Sequence, residues 1–225
     1  MSSHQNRIFL FANGPLTEPN AILSKISPED FLIAVDGGLR HLVNLLLSPN
    51  LIIGDLDSAN PESVDQFIKQ NVEVRRYPQE KDQTDLELAI DAALGMNPAK
   101  ILIAGALGDR IDQTLGNIFL LTKPELADVD LRFIDGDQEV FLIQTSAKVT
   151  GQPGQRISLL PIQGVVRGVR TKGLKYPLDN ETLFPDQTRG ISNLMLSDTA
   201  LIEIEEGYLL CVHEFSTINS HKEKK

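Results

Sequence analysis

Asp55 and Asp57 stand one residue apart where an apolar run ends, in the order Leu51-Ile52-Ile53-Gly54-Asp55-Leu56-Asp57-Ser58. In an extended segment residues i and i+2 point to the same side, so both carboxylates reach one hard cation. Mg²⁺ takes such oxygen ligands and commonly holds substrate phosphates as well. The same residues also make an ordinary polar turn after a core strand, and Asp-x-Asp by itself does not decide between the two.

Two further polar junctions follow. In Gln79-Glu80-Lys81-Asp82-Gln83-Thr84-Asp85-Leu86-Glu87, Thr84 suits a helix N-cap and Asp85 the first turn, where acids are favoured. In Gly105-Ala106-Leu107-Gly108-Asp109-Arg110-Ile111-Asp112-Gln113, the Arg110 guanidinium suits a paired grip on phosphate oxygens, and glycines such as Gly108 let backbone N–H groups help. Asp112 has three readings: a metal ligand, a partner orienting Arg110, or a cap of the helix through Leu121. An earlier junction, Asp36-Gly37-Gly38, lets backbone approach a ligand closely. Such junctions converging on one sheet edge are what a phosphate site produces.

The elements that bring these junctions together are short apolar runs alternating with helix-period segments, the pattern of βαβ units and a parallel sheet. Strands are expected at residues 8–12, 31–35, 51–53, 72–75 and 100–104. Leu39, Leu42, Val43, Leu46 and Leu47 form one helical stripe, ended by Pro49; Asn60-Pro61-Glu62 reads as cap, first helical residue and favourable acid. Val64, Phe67 and Ile68 give that helix its apolar face, and Leu86, Ala89, Ile90, Ala93 and Leu94 repeat the spacing. Ligands bind at the carboxyl ends of such strands.

Beyond Pro124 the texture becomes β-prone: residues 131–134, 139–144, 156–160, 165–170, 200–205 and 208–213, separated by turns. The expected architecture is a mostly parallel α/β sheet domain over residues 1–135, an all-β sandwich or roll over 136–215, and a polar tail over 216–225. Residues 131–134 also suit a last strand of the first sheet. In the β region Tyr176 offers a stacking face and Ser192 a hydrogen-bonding handle, in Gly173-Leu174-Lys175-Tyr176-Pro177-Leu178 and Gly190-Ile191-Ser192-Asn193, although packing and turn roles suit them equally.

A 225-residue chain that is 41% hydrophobic and 23% charged is ordinary for a globular protein. A formal charge of −10 argues against a nucleic-acid surface, so an anionic ligand must be met by a metal or a few placed cations. The single cysteine, Cys211, rules out an internal disulfide and fits a reducing compartment. No apolar stretch approaches the about 18 residues of a membrane span. The expected location is the cytoplasm.

Taken in order, Asp36-Gly37-Gly38, Gly54-Asp55-Leu56-Asp57-Ser58, Lys81-Asp82-Gln83-Thr84-Asp85, Gly108-Asp109-Arg110-Ile111-Asp112-Gln113 with Asn117, Gly173-Leu174-Lys175-Tyr176 and Gly190-Ile191-Ser192-Asn193 resemble the thiamine pyrophosphokinase family. The resemblance spans nearly the whole chain. It implies an N-terminal α/β catalytic domain, a C-terminal β domain, a homodimer with sites at the interface, and transfer of pyrophosphate from ATP to the thiamine hydroxyl, giving AMP and thiamine diphosphate. Leu56 stands where the family often has Phe, Asp109 where a second Gly is usual, Gln113 where many members carry His, and Tyr176 where some carry Trp.

The resemblance and the residue types together assign Asp55, Asp57 and Asp85 to Mg²⁺ on the ATP phosphates, with Asp36 and Asp112 close by. Arg110 and Lys81 supply positive charge; Gly37, Gly38, Asp82, Thr84, Gly108 and Asn117 complete the nucleotide side. Tyr176, Ser192 and Asn193 fall on the thiamine side, and no general base is assigned. Two other readings remain at this stage: a Mg²⁺-dependent phosphatase with Asp55 as a covalently phosphorylated nucleophile, and a nucleotide- or thiamine-binding module without turnover.

Overall fold

The structure, a computed structural model, describes residues 7–217. It divides into two compact units on either side of the Gly136–Asp137 bond. The first is α/β and the second is β-rich.

In the first unit, β1 (Arg7–Phe11), β2 (Phe31–Val35), β3 (Leu51–Gly54), β4 (Glu73–Arg76), β5 (Lys100–Ala104) and β6 (Asp130–Asp135) form a sheet in the order β4-β3-β2-β1-β5-β6. Every neighbouring pair is parallel. The central runs are apolar at consecutive positions because both faces are covered: Ile8 through Phe11 and Leu51 through Ile53 are fully buried. Residues 131–134 thus belong to the parallel sheet. The chain steps outward from β1 to β4, then returns to add β5 on the other side of β1. That reversal is a topological switch point, with a crevice at the carboxyl ends of β1 and β5.

The helices of this unit are α1 (Pro19–Leu23), α2 (Leu39–Asn44), α3 (Pro61–Lys69), α4 (Asp85–Leu94) and α5 (Ile111–Leu120). Asn60 caps α3 by accepting from the Ser63 N–H at 3.0 Å, with Pro61 as first helical residue. Thr84 caps α4 the same way through the Glu87 N–H at 3.2 Å. Val64 and Phe67 are buried as the spacing predicts, whereas Ile68 is exposed.

The stripe through Leu46 is not realised in α2. The helix ends at Asn44, and Leu46 turns left-handed (φ 57°) with its side chain 94% exposed. The Leu47 N–H reaches back to the Leu42 carbonyl at 2.9 Å and the Leu46 N–H to that of Val43 at 3.1 Å. This is a helix-terminating closure whose left-handed position usually holds glycine or asparagine. At the end of α3 the equivalent position is Asn71 (φ 64°).

The second unit consists of β7 (Gln138–Ile143), β8 (Ser146–Thr150), β9 (Gln155–Lys172), β10 (Glu181–Leu183), β11 (Asn193–Leu194), β12 (Thr199–Glu203) and β13 (Glu206–Thr217). All of its pairings are antiparallel, in the order β7-β13-β9-β12-β8, with β10 and β11 also on β9. Two separate strands are expected at 156–160 and 165–170, but β9 is continuous. It turns a corner at Gln163 (φ 59°) and Gly164 (φ 135°), pairing with β13 before the corner and with β10, β12 and, at Arg167, β13 again after it. The core between these layers includes Phe141, Ile157, Leu159, Val169, Ile202 and Cys211.

The sequence does not announce β8, whose one buried side chain is Val149, or the short β10 and β11. Ser216 and Thr217 belong to β13 rather than to a tail, and residues 218–225 lie outside the described residues, as do His4 and His221. Among the described residues no helix is long and apolar enough to cross a membrane.

The closure of α2 generates a prediction. Leu46→Gly relieves the left-handed strain and removes an exposed apolar side chain, so the protein gains about 0.5–1 kcal/mol in denaturant unfolding. A loss of stability would show that Leu46 carries contacts that the fold of a single chain does not reveal.

Candidate active site

The carboxyl ends of the first sheet enclose a cleft of about 950 Å³ lined by residues from all the polar junctions of this unit. One carboxylate oxygen each from Asp36, Asp55 and Asp57 lies within 4.8 Å of the others. Asp36 leaves β2 in a left-handed turn (φ 49°) and is buried, with 6% of its surface exposed. Gly54 (φ 142°) makes room for it, since a Cβ there would stand 3.1 Å from the Asp36 Cβ. The Ser58 N–H donates to Asp36 Oδ1 at 3.3 Å, the Asp57 N–H to Asp55 Oδ1 at 3.1 Å, the Ser58 hydroxyl to Asp57 Oδ1 at 2.9 Å and the Gln79 amide to Asp57 Oδ2 at 2.9 Å.

The way Asp55 and Asp57 meet differs from the expected strand pleat. The strand stops at Gly54, and Leu56 is left-handed (φ 64°) with its side chain packed on the core of the unit. A turn anchored by Leu56, rather than an extended i, i+2 pair, turns the two carboxylates toward the cleft. Leu56 is half-buried against that core, between the two acids.

Asp85 opens α4. Lys81 Nζ sits 2.9 Å from Asp85 Oδ1 and 3.6 Å from Asp55 Oδ2, and donates to the Pro78 carbonyl at 3.1 Å. Burial works against the lysine's charge, but Asp85 and then Asp55 outweigh it and hold the ammonium above the ordinary lysine range. Burial also pushes the Asp36 carboxyl up from the ordinary range; the Gly37 and Ser58 N–H groups oppose this, and the charges of Asp57 and Asp85 add to it.

Across the cleft, Arg110 is 65% exposed and grips Asp112 with two bonds, of 3.1 and 2.6 Å. Asp112 thus makes the contact that its orienting reading requires. The Asp112 hydrogen bond holds the guanidinium above its usual range, and Arg110 in turn lowers Asp112. The loop before Arg110 is tied by the Gly108 N–H to Thr114 Oγ1 at 3.1 Å and by the Asn117 amide to the Ala106 carbonyl at 2.7 Å. Asp109 adopts a left-handed conformation (φ 58°), so the chain curls here without a second glycine.

Not every expected residue faces the cleft. Gly37 and Gly38 are buried and serve the protein's own packing: a Cβ on Gly38 would meet the Phe11 carbonyl, and one on Gly37 the Asn13 side chain. Asp82 is exposed and does not line the cleft, whereas Thr84, Asp85, Gly108, Arg110, Asp112 and Asn117 do.

Conversely, Asn13 and Gly14 line it at the switch point, fastened from α2. Arg40 donates to the Asn13 side chain and carbonyl and, at 3.0 Å, to the Gly14 carbonyl. His41 is buried and its Nε2 donates to the Gly14 carbonyl at 2.8 Å. Burial depresses its pKa, keeping it neutral with the proton on Nε2. The signal for this loop was an Asn-Gly-Pro turn directly after the first strand.

In the second unit a separate hollow of about 610 Å³ is lined by residues that include Tyr176, Arg189, Gly190 and Asn193. Tyr176 is 53% exposed, with Lys175 Nζ 5.3 Å from its ring centroid. Asn193 is buried and clamps the Tyr176 backbone from both sides, accepting from its N–H at 2.9 Å and donating to its carbonyl at 2.6 Å. Ser192 is exposed, left-handed (φ 59°), and tied by its N–H to Ser158 Oγ at 3.0 Å, but lies outside the lining.

The donor set suits a hard divalent cation. It is all carboxylate oxygen, and Asp85 Oδ1 is cut off from solvent without a hydrogen bond, the nearby Lys81 ammonium lying off hydrogen-bond geometry. Fold and site together define an α/β protein that gathers carboxylates and a guanidinium at the switch point of a parallel sheet, continued by a β-rich unit.

Residues 23–133 match the family model described as "Thiamin pyrophosphokinase, catalytic domain", and residues 143–209 match "Thiamin pyrophosphokinase, vitamin B1 binding domain". A thiamine pyrophosphokinase of Bacillus subtilis is 30% identical over 91% of this chain and 97% of its own, and a solved Bacillus subtilis structure superposes with a TM-score of 0.84 at 28% identity, over 94% of this chain and all of that one. A Geobacillus thermodenitrificans structure gives 0.82 at 26% identity, over 94% of this chain and 99% of that one. The chain belongs to the thiamine pyrophosphokinase family.

The pKa of Asp36 sets a testable sign. Because its folded value lies above its unfolded one, ionising it costs stability, and that cost develops as pH rises from the ordinary carboxylate range through the raised folded value. With chelator present, Asp36→Asn, which keeps the acceptor for Ser58, melts higher than wild type at neutral pH, and the gap closes toward acid. A variant melting lower at pH 7 would mean the ionised carboxylate is a net stabiliser.

Proposed function

We propose that the protein is an ATP-dependent thiamine diphosphokinase that transfers a pyrophosphoryl group from MgATP to the thiamine hydroxyl, giving thiamine diphosphate and AMP. The observation that carries this reading is the Asp36–Asp55–Asp57 cluster, in the same cleft as Arg110, in a chain whose two parts match the catalytic and vitamin-binding models of one family.

Asp55, Asp57 and Asp85 would hold Mg²⁺, with Asp36, whose carboxylate clusters with those of Asp55 and Asp57, beside them. The ion would supply positive charge to the polyphosphate and to the phosphorus under attack. Arg110, kept in place by Asp112, and Lys81 offer further positive charge to the phosphates, and the pinned Asn13–Gly14 and Gly108 loops bring backbone to the crevice. Attack at the β- rather than the γ-phosphorus follows from where the hydroxyl is held, so positioning carries much of the rate.

On the thiamine side Tyr176 supplies the stacking face. Asn193 sets the Tyr176 backbone, because its amide is occupied there, and Ser192 offers a hydroxyl. The net charge of −10 suits a substrate with a fixed positive charge. An aspartyl-phosphate phosphatase leaves the second unit unexplained. The assembly we propose is a cytoplasmic homodimer with sites at the interface between chains, without nucleic-acid or membrane partners.

Incubation with MgATP and thiamine, resolved by chromatography, yields AMP and thiamine diphosphate; ADP or inorganic phosphate as the product would contradict the reading. Asp57→Asn lowers kcat by about a hundredfold or more while its melting temperature is retained. A folded, fully active variant would remove the metal assignment. Tyr176→Ala raises KM for thiamine several-fold, on the order of 1 kcal/mol, with KM for ATP unchanged; an unaltered thiamine KM would place the ring on another side chain.

A further inference from the structure

We propose that Lys81 is an internal counter-cation that holds Asp55 and Asp85 together until a divalent cation replaces it, so that cation binding and release of the ammonium into the cleft are one exchange. The inference rests on the cation-site reading of Asp55, Asp57 and Asp85, and adds to it that the protein carries its own competitor for that site.

Lys81 lies in the loop between β4 and α4, yet its side chain is only 14% exposed because it folds inward over two carboxylates from different junctions. Its ammonium is 2.9 Å from Asp85 and 3.6 Å from Asp55, with the Pro78 carbonyl at 3.1 Å as third neighbour. Asp85 Oδ1 is closed to solvent and the Lys81 ammonium is the cation against it, so an ion that binds this oxygen takes the place of the ammonium. The ammonium and a divalent ion cannot share these oxygens: two positive charges a few ångströms apart repel strongly, most of all where water is excluded.

Linkage then fixes the consequence. A cation binding without nucleotide must displace Lys81 from its partners, whereas a polyphosphate in the same cleft, which Lys81 lines, offers the ammonium a replacement. Cation and nucleotide therefore favour each other's binding through this one side chain, in addition to their direct attraction, and the coupling is reciprocal. Lys81 is in this sense a positioning residue for cation loading as well as a phosphate-facing charge.

Calorimetric titration with Mn²⁺ alone, without nucleotide, tests the exchange on wild type, Lys81→Met and Asp57→Asn. Lys81→Met binds Mn²⁺ about tenfold tighter than wild type, or more, the scale expected on removing a unit charge beside the ion, and Asp57→Asn binds more weakly. In parallel, Lys81→Met melts below wild type without cation, because its carboxylates then face one another unrelieved, and Mn²⁺ raises its melting temperature by more than it raises that of wild type. A Lys81→Met protein that folds only when Mn²⁺ is added supports the exchange equally. If Lys81→Met binds Mn²⁺ no tighter than wild type while Asp57→Asn still weakens binding, the exchange is wrong and the cation site stands. A Lys81→Met protein that stays unfolded with Mn²⁺ present shows a structural lysine and also overturns it. If Mn²⁺ binds wild type and Asp57→Asn alike, the cation site fails and the exchange with it.

Discussion

Mutual repulsion of carboxylates gathered at one sheet edge is the constraint on which this structure turns. Asp36 follows β2, Asp55 and Asp57 follow β3, and Asp85 opens α4; their negative charges meet where apolar strands exclude water from below. Burial first, and then the charges of Asp57 and Asp85, raise the pKa of Asp36, and Lys81 folds inward against Asp85 and Asp55. Under the proposed function, a divalent cation carrying a polyphosphate would bring positive charge to this edge and screen the anion from an acidic surface.

The sheet makes this concentration of charge affordable. Parallel strands with fully buried sequences end level with one another, as when Phe11 lies beside Ala34 and Ala104, so the loops that follow share one edge. The reversal of strand order between β1 and β5 opens the crevice, and side chains from α2 close its floor: Arg40 and His41 fasten Asn13 and Gly14, while Gly38 lets α2 press against β1. In the second unit the corner in β9 does comparable work, because one strand serves both layers of a small core and leaves the Tyr176 and Gly190 loops beside one hollow.

What was legible in the sequence was whatever depends on local chemistry. Asn60-Pro61 and Thr84-Asp85 mark helix starts because capping is a three-residue event, and runs such as Leu51–Ile53 reveal a strand buried on both faces. The polar junctions were readable as a site because they recur at strand ends in a fixed order. Less legible was whatever depends on a partner distant in sequence. Gly37 and Gly38 look like a ligand-facing turn until Phe11 and Asn13 are seen against them, and the hold of the Asn193 amide on Tyr176, 17 residues away, follows from no local pattern. Arg40 and His41 reach 26 and 27 residues back to Gly14, a relation no local pattern carries. Leu56 shows the limit within a motif, for the i, i+2 spacing brings out two acids that do cluster while the backbone joins them by a left-handed turn.

The most direct measurement uses ATP with sulfur in place of a non-bridging oxygen on the β-phosphorus, assayed with Mg²⁺ and with the thiophilic Cd²⁺. A cation held by Asp55 and Asp57 on that phosphoryl group predicts slow turnover with Mg²⁺, recovery with Cd²⁺, and loss of the recovery in Asp55→Asn. Equal turnover with both metals, or full recovery in Asp55→Asn, would contradict it.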